Sequence, residues 1–334
     1  MRAVVLVGGF GTRLRPLTFS APKPMLPIGN RPMIARLVDR LGRGGVTEVV
    51  LALGFKPEPF MEAFPDGRCG DVKLTYAVEP EPLDTGGAIA FAAREAGIDD
   101  TFVVANGDVM TDLDVGALVA AHRGYGAEAT VHLISVDDPS AFGVATLGEG
   151  NVISDFVEKP APGTEPSNLI NAGTYVFEPS VIDRIAPGDR VSIERATFPA
   201  IAQAGGLYGH ATDDYWIDAG VPHLYRAANL DLLGDKRLHD RCDAIADGAT
   251  VAESATITNS IVGPGSVVGD RATVVDSVLL EGSVVGRSAN VERSLVMGIV
   301  GSTAHVADAM VGADGIVAGG DSLVDASVPD PAQV

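Results

Sequence analysis

Two arginines and a lysine punctuate a glycine- and proline-rich stretch near the start of the chain, "VLVGGFGTRLRPLTFSAPKPMLPIG" at residues 5–29. Gly8, Gly9 and Gly11 follow an apolar run and leave backbone N–H groups unobstructed, which suits a polyphosphate. Arg13 can make two parallel hydrogen bonds to phosphate oxygens, and Lys23 can act as a point charge. Lys23 is one of five lysines in a chain with 19 arginines, and Pro22 and Pro24 on either side restrict its backbone. The run matches neither GxxxxGK[ST] nor GxGxxG, so taken alone it reads equally as a structural turn or a solvated basic loop. Further along, Asp108 follows an apolar stretch in "NGD", where a carboxylate at a strand's end can hold Mg²⁺ or cap a helix. Lys159 is a second proline-linked lysine, in "EKP", and beside Glu158 it also reads as a surface ion pair.

The elements that must carry these residues alternate. Strand patterns at residues 3–7, 48–53, 73–78, 102–105, 130–136 and 173–177 are interleaved with helical periods, such as 33–41 and 88–95. This predicts an α/β, doubly wound, mostly parallel sheet whose ligands bind beyond the carboxyl ends of the strands. The loops after Val7, Val78 and Ala105 then share one rim.

After about residue 245 there is no Phe, Trp, Tyr or Lys. "SIVGPGSVVGDRATVVD" from Ser260 is followed by "SVLLEGSVVGRSANVER" from Ser277, each 17 residues long, and a third copy from Ser294 is shorter. An aliphatic residue recurs about every six positions, as at Ile261 and Val267 or Val278 and Val284. Six residues cannot mark a helical face but suit one flat side of a triangular coil with its aliphatic side chains stacked inside. The pattern resembles the left-handed parallel β-helix of hexapeptide-repeat proteins; a disordered Val- and Gly-rich tail is the alternative, at odds with so regular a period.

The chain has 334 residues and a formal charge of −20, which argues against nucleic-acid or anionic-membrane binding and requires any anionic substrate to meet a focused cationic site. Cys69 and Cys242 form no CxxC, and the apolar run at 3–7 is too short for a signal sequence, so a cytoplasmic protein is expected.

"GGFGTRLRPLT" followed by "PKPMLPIGNRPM" resembles the signature of the sugar-1-phosphate nucleotidyltransferases, and the likeness continues in order through "EPLDTGGAI", "NGDV", "FGV", "FVEKP", "NAG" and "WIDAG". It covers about the first 235 residues. The resemblance implies a nucleotide site at Gly8, Gly9, Gly11, Thr12, Arg13, Lys23, Gly86 and Gly87. It also implies a sugar-phosphate site at Gly143, Glu158, Lys159 and Asn171, and Mg²⁺ held by Asp108 and Asp218. Asp84 departs from the pattern, since members often carry glycine there.

The implied reaction is attack of a sugar 1-phosphate oxygen on the α-phosphorus of a nucleoside triphosphate, with Arg13, Lys23, Asp108, Lys159 and Asp218 as the catalytic set. The member type most resembled transfers a guanylyl group from GTP to mannose 1-phosphate; thymidylyl or uridylyl transfer to glucose 1-phosphate, or a non-catalytic nucleotide-sugar sensor, are the alternatives. An acyltransferase role for the repeats has little support, as His305 is their single histidine. The expected domains are a catalytic one at 1–235, a linker at 236–248, the β-helix at 249–320 and a tail at 321–334. The repeats are expected to be structural, burying a surface against the catalytic domain or a neighbouring subunit of a homo-oligomer.

Overall fold

The computed structural model describes every residue except Phe10, Phe55, Lys56, Asp235, Leu238, His239, Gln333 and Val334. The catalytic-domain end expected at 235 and the last two residues of the expected tail lie outside the described residues. The chain divides into two compact units, one of residues 1–9 and 34–216, the other of residues 10–33 and 217–334.

The first unit is built on a ten-stranded sheet. In chain order its elements are β1 (Arg2–Leu6), α1 (Met33–Arg43), β2 (Glu48–Leu53), β3 (Arg68–Cys69), β4 (Val72–Val78) and α2 (Asp84–Glu95). Then come β5 (Phe102–Asn106), α3 (Val115–Tyr125), β6 (Ala129–Ser135), β7 (Gly143–Leu147), β8 (Ile153–Glu158), β9 (Leu169–Phe177), α4 (Phe198–Gln203) and β10 (Leu207–Thr212). The strand order is β8-β7-β9-β5-β1-β2-β4-β3, with β6 paired to β9 and β10. β5, β1, β2 and β4 run parallel, in register Val4↔Val104 and Val4↔Val50. The expected α/β sheet with a parallel centre is present. In its far half β9 runs antiparallel to β5, β6 and β7 while β10 runs parallel to β6, so the sheet is mixed.

Burial on both faces explains the continuous apolar runs at the centre: Ala3, Val4 and Val5 of β1 and Leu51 of β2 are fully buried. α2 can lie close to the sheet because its inner face is small, with Gly86, Gly87, Ala88, Ala90, Ala92 and Ala93 all buried. An aromatic cluster of Tyr175, Phe177 and Phe198 fills the core on the β9 side, with Tyr175 and Phe198 ring centres 5.2 Å apart. From β1 the chain proceeds to β2 on one side and later to β5 on the other, so the loops after β1 and β5 flank the point where strand order reverses.

The second unit joins residues 10–33 and helix α5 (Pro222–Leu230) to a coil of three five-stranded parallel sheets. One face stacks Thr250–Val251, Val267–Val268, Val284–Val285, Ile299–Val300 and Ile316–Val317. Register advances by 17 residues from Val267 to Val284 and by 15 from Val284 to Ile299, as the shortened third copy predicts. The left-handed parallel β-helix is thus present, and its strands run on to Ser327–Val328. The phase of the repeat is a correction. The stacked interior is Val262, Val268, Val274, Leu279, Val285 and Val291, whereas Val267 is 42% exposed and Val284 only half-buried. On this face the strands Val267–Val268 and Val284–Val285 are aliphatic pairs, and alternation sends the second member inward and the first out.

Asn259, Asp276, Arg293, Asp308 and Asp325 occupy one corner of the coil with φ between 41° and 50°, a left-handed conformation that Asn and Asp tolerate best. Beside them runs a serine column: Ser277 N donates to Ser260 Oγ at 3.0 Å, Ser294 N to Ser277 Oγ at 3.0 Å and Ala309 N to Ser294 Oγ at 3.1 Å. Each hydroxyl satisfies a buried N–H that the corner leaves without a backbone acceptor. Among the described residues no helix is long and apolar enough to cross a membrane.

Candidate active site

Each unit carries part of the residues singled out by sequence. In the first, β1 ends at the rim, where Gly8 and Gly9 are exposed and a Cβ on either would meet nothing within 4 Å. These glycines therefore answer no packing demand, although φ of 106° reserves Gly9 for glycine, and their open backbone is what an anion cradle needs. Across the switch point, Gly107 N donates to Leu6 O at 2.8 Å, and a Cβ there would stand 2.8 Å from the same oxygen. This close approach of β5 to β1 sets the half-buried Asp108 on the rim. The helix-cap reading of Asp108 falls away: a short strand, Val109–Thr111, follows it, and α3 is capped by Asp114, which accepts from Ala117 N.

A polar cluster lies on the β7–β9 side of the same unit. Gly143 has no room for a side chain, since a Cβ would come within 2.7 Å of Phe156 Cζ and 3.0 Å of Glu158 Oε2. "NAG" is a bulge: register between β9 and β6 shifts between Asn171 and Tyr175, and Gly173 takes φ of 77° against the Asn106 side chain. Asn171 Oδ1 accepts from Gly173 N at 2.9 Å and its Nδ2 donates to Tyr175 OH at 2.9 Å, leaving one N–H for a ligand. Lys159 adopts φ of 50°, a strained conformation for lysine, and its 59%-exposed side chain places Nζ 3.6 Å from Glu158 Oε1. An ion pair so exposed adds little stability, which leaves the lysine available for a ligand. Burial pushes the Glu158 carboxyl above its ordinary range, the neighbouring Glu194 adds to this, and Lys159 and Arg195 oppose it. Phe142 and Trp216 meet edge to face at 5.6 Å, and Trp216 Nε1 donates to Ala172 O at 2.9 Å, tying "FGV" and the start of "WIDAG" to the bulge.

Sequence reasoning missed Glu194. It lies in the first turn of a π-type segment, Ile193–Thr197, of the kind often found at functional sites. Its Oε2 accepts from Thr85 Oγ1 at 2.7 Å and from Ser192 Oγ at 2.9 Å, while Ile193 N donates to Thr85 Oγ1 at 3.0 Å. No local motif marks it, because its partner Thr85 is about a hundred residues away in α2. The same contacts give Gly86 and Gly87 a packing role: both donate to Val191 O, at 2.8 and 3.1 Å, and a Cβ on Gly87 would stand 2.5 Å from Asp189 O. Asp84 at the head of α2 has φ of 61°, the region glycine favours, and its Oδ1 accepts from Thr85 N at 2.8 Å.

In the second unit Gly11, with φ of 57°, packs against Thr18 and Lys23, and its carbonyl accepts from Thr18 Oγ1 at 2.9 Å. Thr12 and Arg13 are exposed on the single turn Thr12–Leu14, anchored by the buried Leu14. Lys23 is largely buried, with Nζ 3.8 Å from Asp218 Oδ1. The arrangement centres on a residue that sequence reasoning passed over, the buried Gly220 of "WIDAG". A Cβ there would lie 2.7 Å from Asp218 Oδ1, 2.8 Å from Arg13 NH2 and 2.9 Å from Lys23 Nζ. One carboxylate and two cations converge on a space kept open by one missing methyl, an arrangement that can accommodate an anion and a cation together.

Residues 2–234 match the family described as nucleotidyl transferase. The chain belongs to the nucleotidyl transferase family. Residues 234–315 match a second family, GlmU-like, C-terminal hexapeptide, in keeping with the coil. The chain is 41% identical over 268 residues to the mannose-1-phosphate guanylyltransferase of Mycobacterium tuberculosis, covering 78% of this chain and 74% of that protein. It is 40% identical to a rice protein named probable mannose-1-phosphate guanylyltransferase 1, covering 78% and 73%. Among solved structures, a provisionally named glucose-1-phosphate thymidylyltransferase of Bacillus anthracis superposes with a TM-score of 0.63 at 27% identity, over 69% of this chain and 94% of that one. HddC from Yersinia pseudotuberculosis, complexed with GMP-PN, superposes with a TM-score of 0.58 at 29% identity, over 68% and 97%.

Proposed function

We propose that this nucleotidyltransferase joins the guanylyl group of GTP to mannose 1-phosphate, giving GDP-mannose and pyrophosphate. The relatives named above at about 40% identity support the choice of base and sugar. The observation that carries the chemistry is the convergence of Asp218, Arg13 and Lys23 on Gly220. The nucleophile is already an anion, so the task is to bring two anions together rather than to abstract a proton. Lys23 steadies the α-phosphate, Arg13 the leaving pyrophosphate and Lys159 the phosphate of the sugar, while Gly8, Gly9, Gly11 and Thr12 cradle the triphosphate. Glu158 and Asn171 receive the sugar hydroxyls, the backbone of Gly143 approaches the sugar, and the segment at Gly86 and Gly87 lies by the base.

Asp108 and Asp218 would hold Mg²⁺, since that ion characteristically takes one or two carboxylates together with phosphate oxygens and water. When bound it supplies charge neutralisation on the phosphates. Retention of the full set of cations and carboxylates favours an enzyme over a regulatory homologue. We further assign the catalytic part to residues 1–235, and a homo-oligomer in the cytoplasm as the working form.

A substrate matrix tests the reading: GTP, dTTP, UTP and ATP, each against mannose and glucose 1-phosphates, with product identified by mass. GDP-mannose as the fastest product supports it, and a deoxythymidine or uridine diphosphate sugar formed faster overturns the choice of substrates. Lys23→Ala tests the chemistry: turnover falls by orders of magnitude in a folded chain, and near-normal turnover sinks the assignment.

A further inference from the structure

The loop that carries Arg13 and Lys23 belongs to the same compact unit as the coil, and two sets of contacts link it to that coil. The first is direct. Pro16 sits against Gly312 of the β-helix so closely that a Cβ on Gly312 would stand 2.8 Å from Pro16 Cβ, 3.0 Å from Pro16 Cγ and 3.3 Å from Pro16 O. Nearby, Ser20 Oγ donates to Met297 Sδ at 3.4 Å. Gly312 and Met297 are themselves tied into successive coils, since Met297 N donates to Val311 O at 2.7 Å and Gly312 N to Val328 O at 2.8 Å. The second hold runs through α5. Tyr225 OH donates to Pro27 O, and Gly29 N donates to the buried Asn229 Oδ1 at 2.9 Å. α5 in turn is fastened to the coil by Arg226, whose NH1 donates to Asp276 O at 2.8 Å.

Lys23 falls between the two holds, three residues after Ser20 and four before Pro27, and Arg13 lies three residues before Pro16. A loop of single turns has little rigidity of its own, whereas a parallel coil with every rung hydrogen-bonded and a packed aliphatic interior is stiff. Phosphoryl chemistry that depends on placing fixed charges loses rate steeply when they move by a fraction of an ångström.

We infer that the β-helix is a positioning support for the catalytic loop, and that Gly312 is a positioning residue which acts through Pro16 on Arg13 and Lys23. This rests on the roles proposed above for those two cations. It gives the repeats a function inside each chain, whether or not they also join subunits. The alternative is that the contact is packing alone, in which case disturbing it moves the melting temperature and not the kinetics.

The test uses the full chain with Gly312→Ala, Gly312→Val and, as a milder change, Met297→Ala. Each is measured for melting temperature and, well below it, for kcat and for the KM of nucleotide and of sugar 1-phosphate. The three atoms nearest an added Cβ all belong to Pro16, so the coil is not the first thing strained. We expect kcat to fall by about tenfold in Gly312→Val and about threefold in Met297→Ala, with the KM for sugar 1-phosphate within about twofold of the parent. Kinetics within about twofold of the parent in both, whatever the melting temperatures, overturn the inference. Should Gly312→Val fail to fold, Met297→Ala and Gly312→Ala decide the matter by the same measures. Lys23→Ala, run alongside, separates the two levels: if it leaves turnover intact the proposed chemistry itself is wrong, and if it abolishes turnover while Gly312 and Met297 variants are kinetically normal only the support role fails.

Discussion

Gly220→Ala is expected to separate activity from stability. The added methyl would lie 2.7 Å from Asp218 Oδ1, 2.8 Å from Arg13 NH2 and 2.9 Å from Lys23 Nζ. Carbon to nitrogen or oxygen contacts settle near roughly 3.4 Å, so each charged head must withdraw by about 0.5–0.7 Å. All three are tips of side chains, and Gly220 is not among the left-handed glycines, so the fold can absorb the change. The smaller conformational freedom of alanine in the unfolded chain offsets part of any strain, and stability should stay within about 1 kcal/mol of the parent. Catalysis has no such slack. Displacements approaching 1 Å cost up to about a hundredfold in rate, so kcat should fall by roughly 10- to 100-fold, which is about 1.4–2.7 kcal/mol of transition-state stabilisation. Continuous detection of pyrophosphate at saturating substrates gives kcat, and thermal melting gives stability. Turnover within about twofold of the parent would refute the claim that the three groups act together around this glycine.

The raised Glu158 carboxyl has a pH consequence: Glu158 accepts hydroxyl donors as the carboxylate, so kcat/KM for the sugar 1-phosphate should decline on the acid side at a higher pH than an ordinary glutamate gives, and Glu158→Gln should remove that limb. An unchanged acid limb in the variant would assign it to another group. Glu194→Gln should raise the KM for sugar 1-phosphate, because the carboxylate adjoins Glu158, and also the nucleotide KM, because it holds Thr85 next to Gly86 and Gly87, each by about tenfold; parent-like values for both would contradict this. Burial lowers the pKa of His132 from 6.5 to about 3, with its Nε2 2.8 Å from Thr212 Oγ1. A folded-state value below the unfolded one means that this stabilisation is complete above about pH 6.5 and is lost as pH falls toward 3. Two pH units below the unfolded value the loss is about 2.7 kcal/mol, and urea unfolding of His132→Gln should show a correspondingly flatter acid dependence than the parent.

Legibility differed sharply between local and distant features. The strand at residues 48–53 was readable to its ends because a strand buried on both faces is an uninterrupted apolar run, and the shortened third repeat was readable because period survives in sequence. The choice between Val267 and Val268 as the interior residue was not, since two adjacent valines present the same pattern in either phase and only closure of the coil selects one. Asp84 stood out in sequence as a departure, yet its left-handed backbone, the reason glycine suits the position, is a property of the folded turn.

The order and types of the motif residues carried the resemblance to the sugar-1-phosphate nucleotidyltransferases, because each motif is a short local run that survives in sequence. Tertiary structure alone decided which surfaces those motifs serve. It put Gly86 and Gly87 under Val191, brought Thr85 to Glu194, and opened a space for Asp218, Arg13 and Lys23 around Gly220. It also gave the loop of Arg13 and Lys23 to the coil some three hundred residues away, through Pro16 on Gly312. Such pairings depend on close approach between distant backbones, and no pattern along one segment records what will later be packed against it.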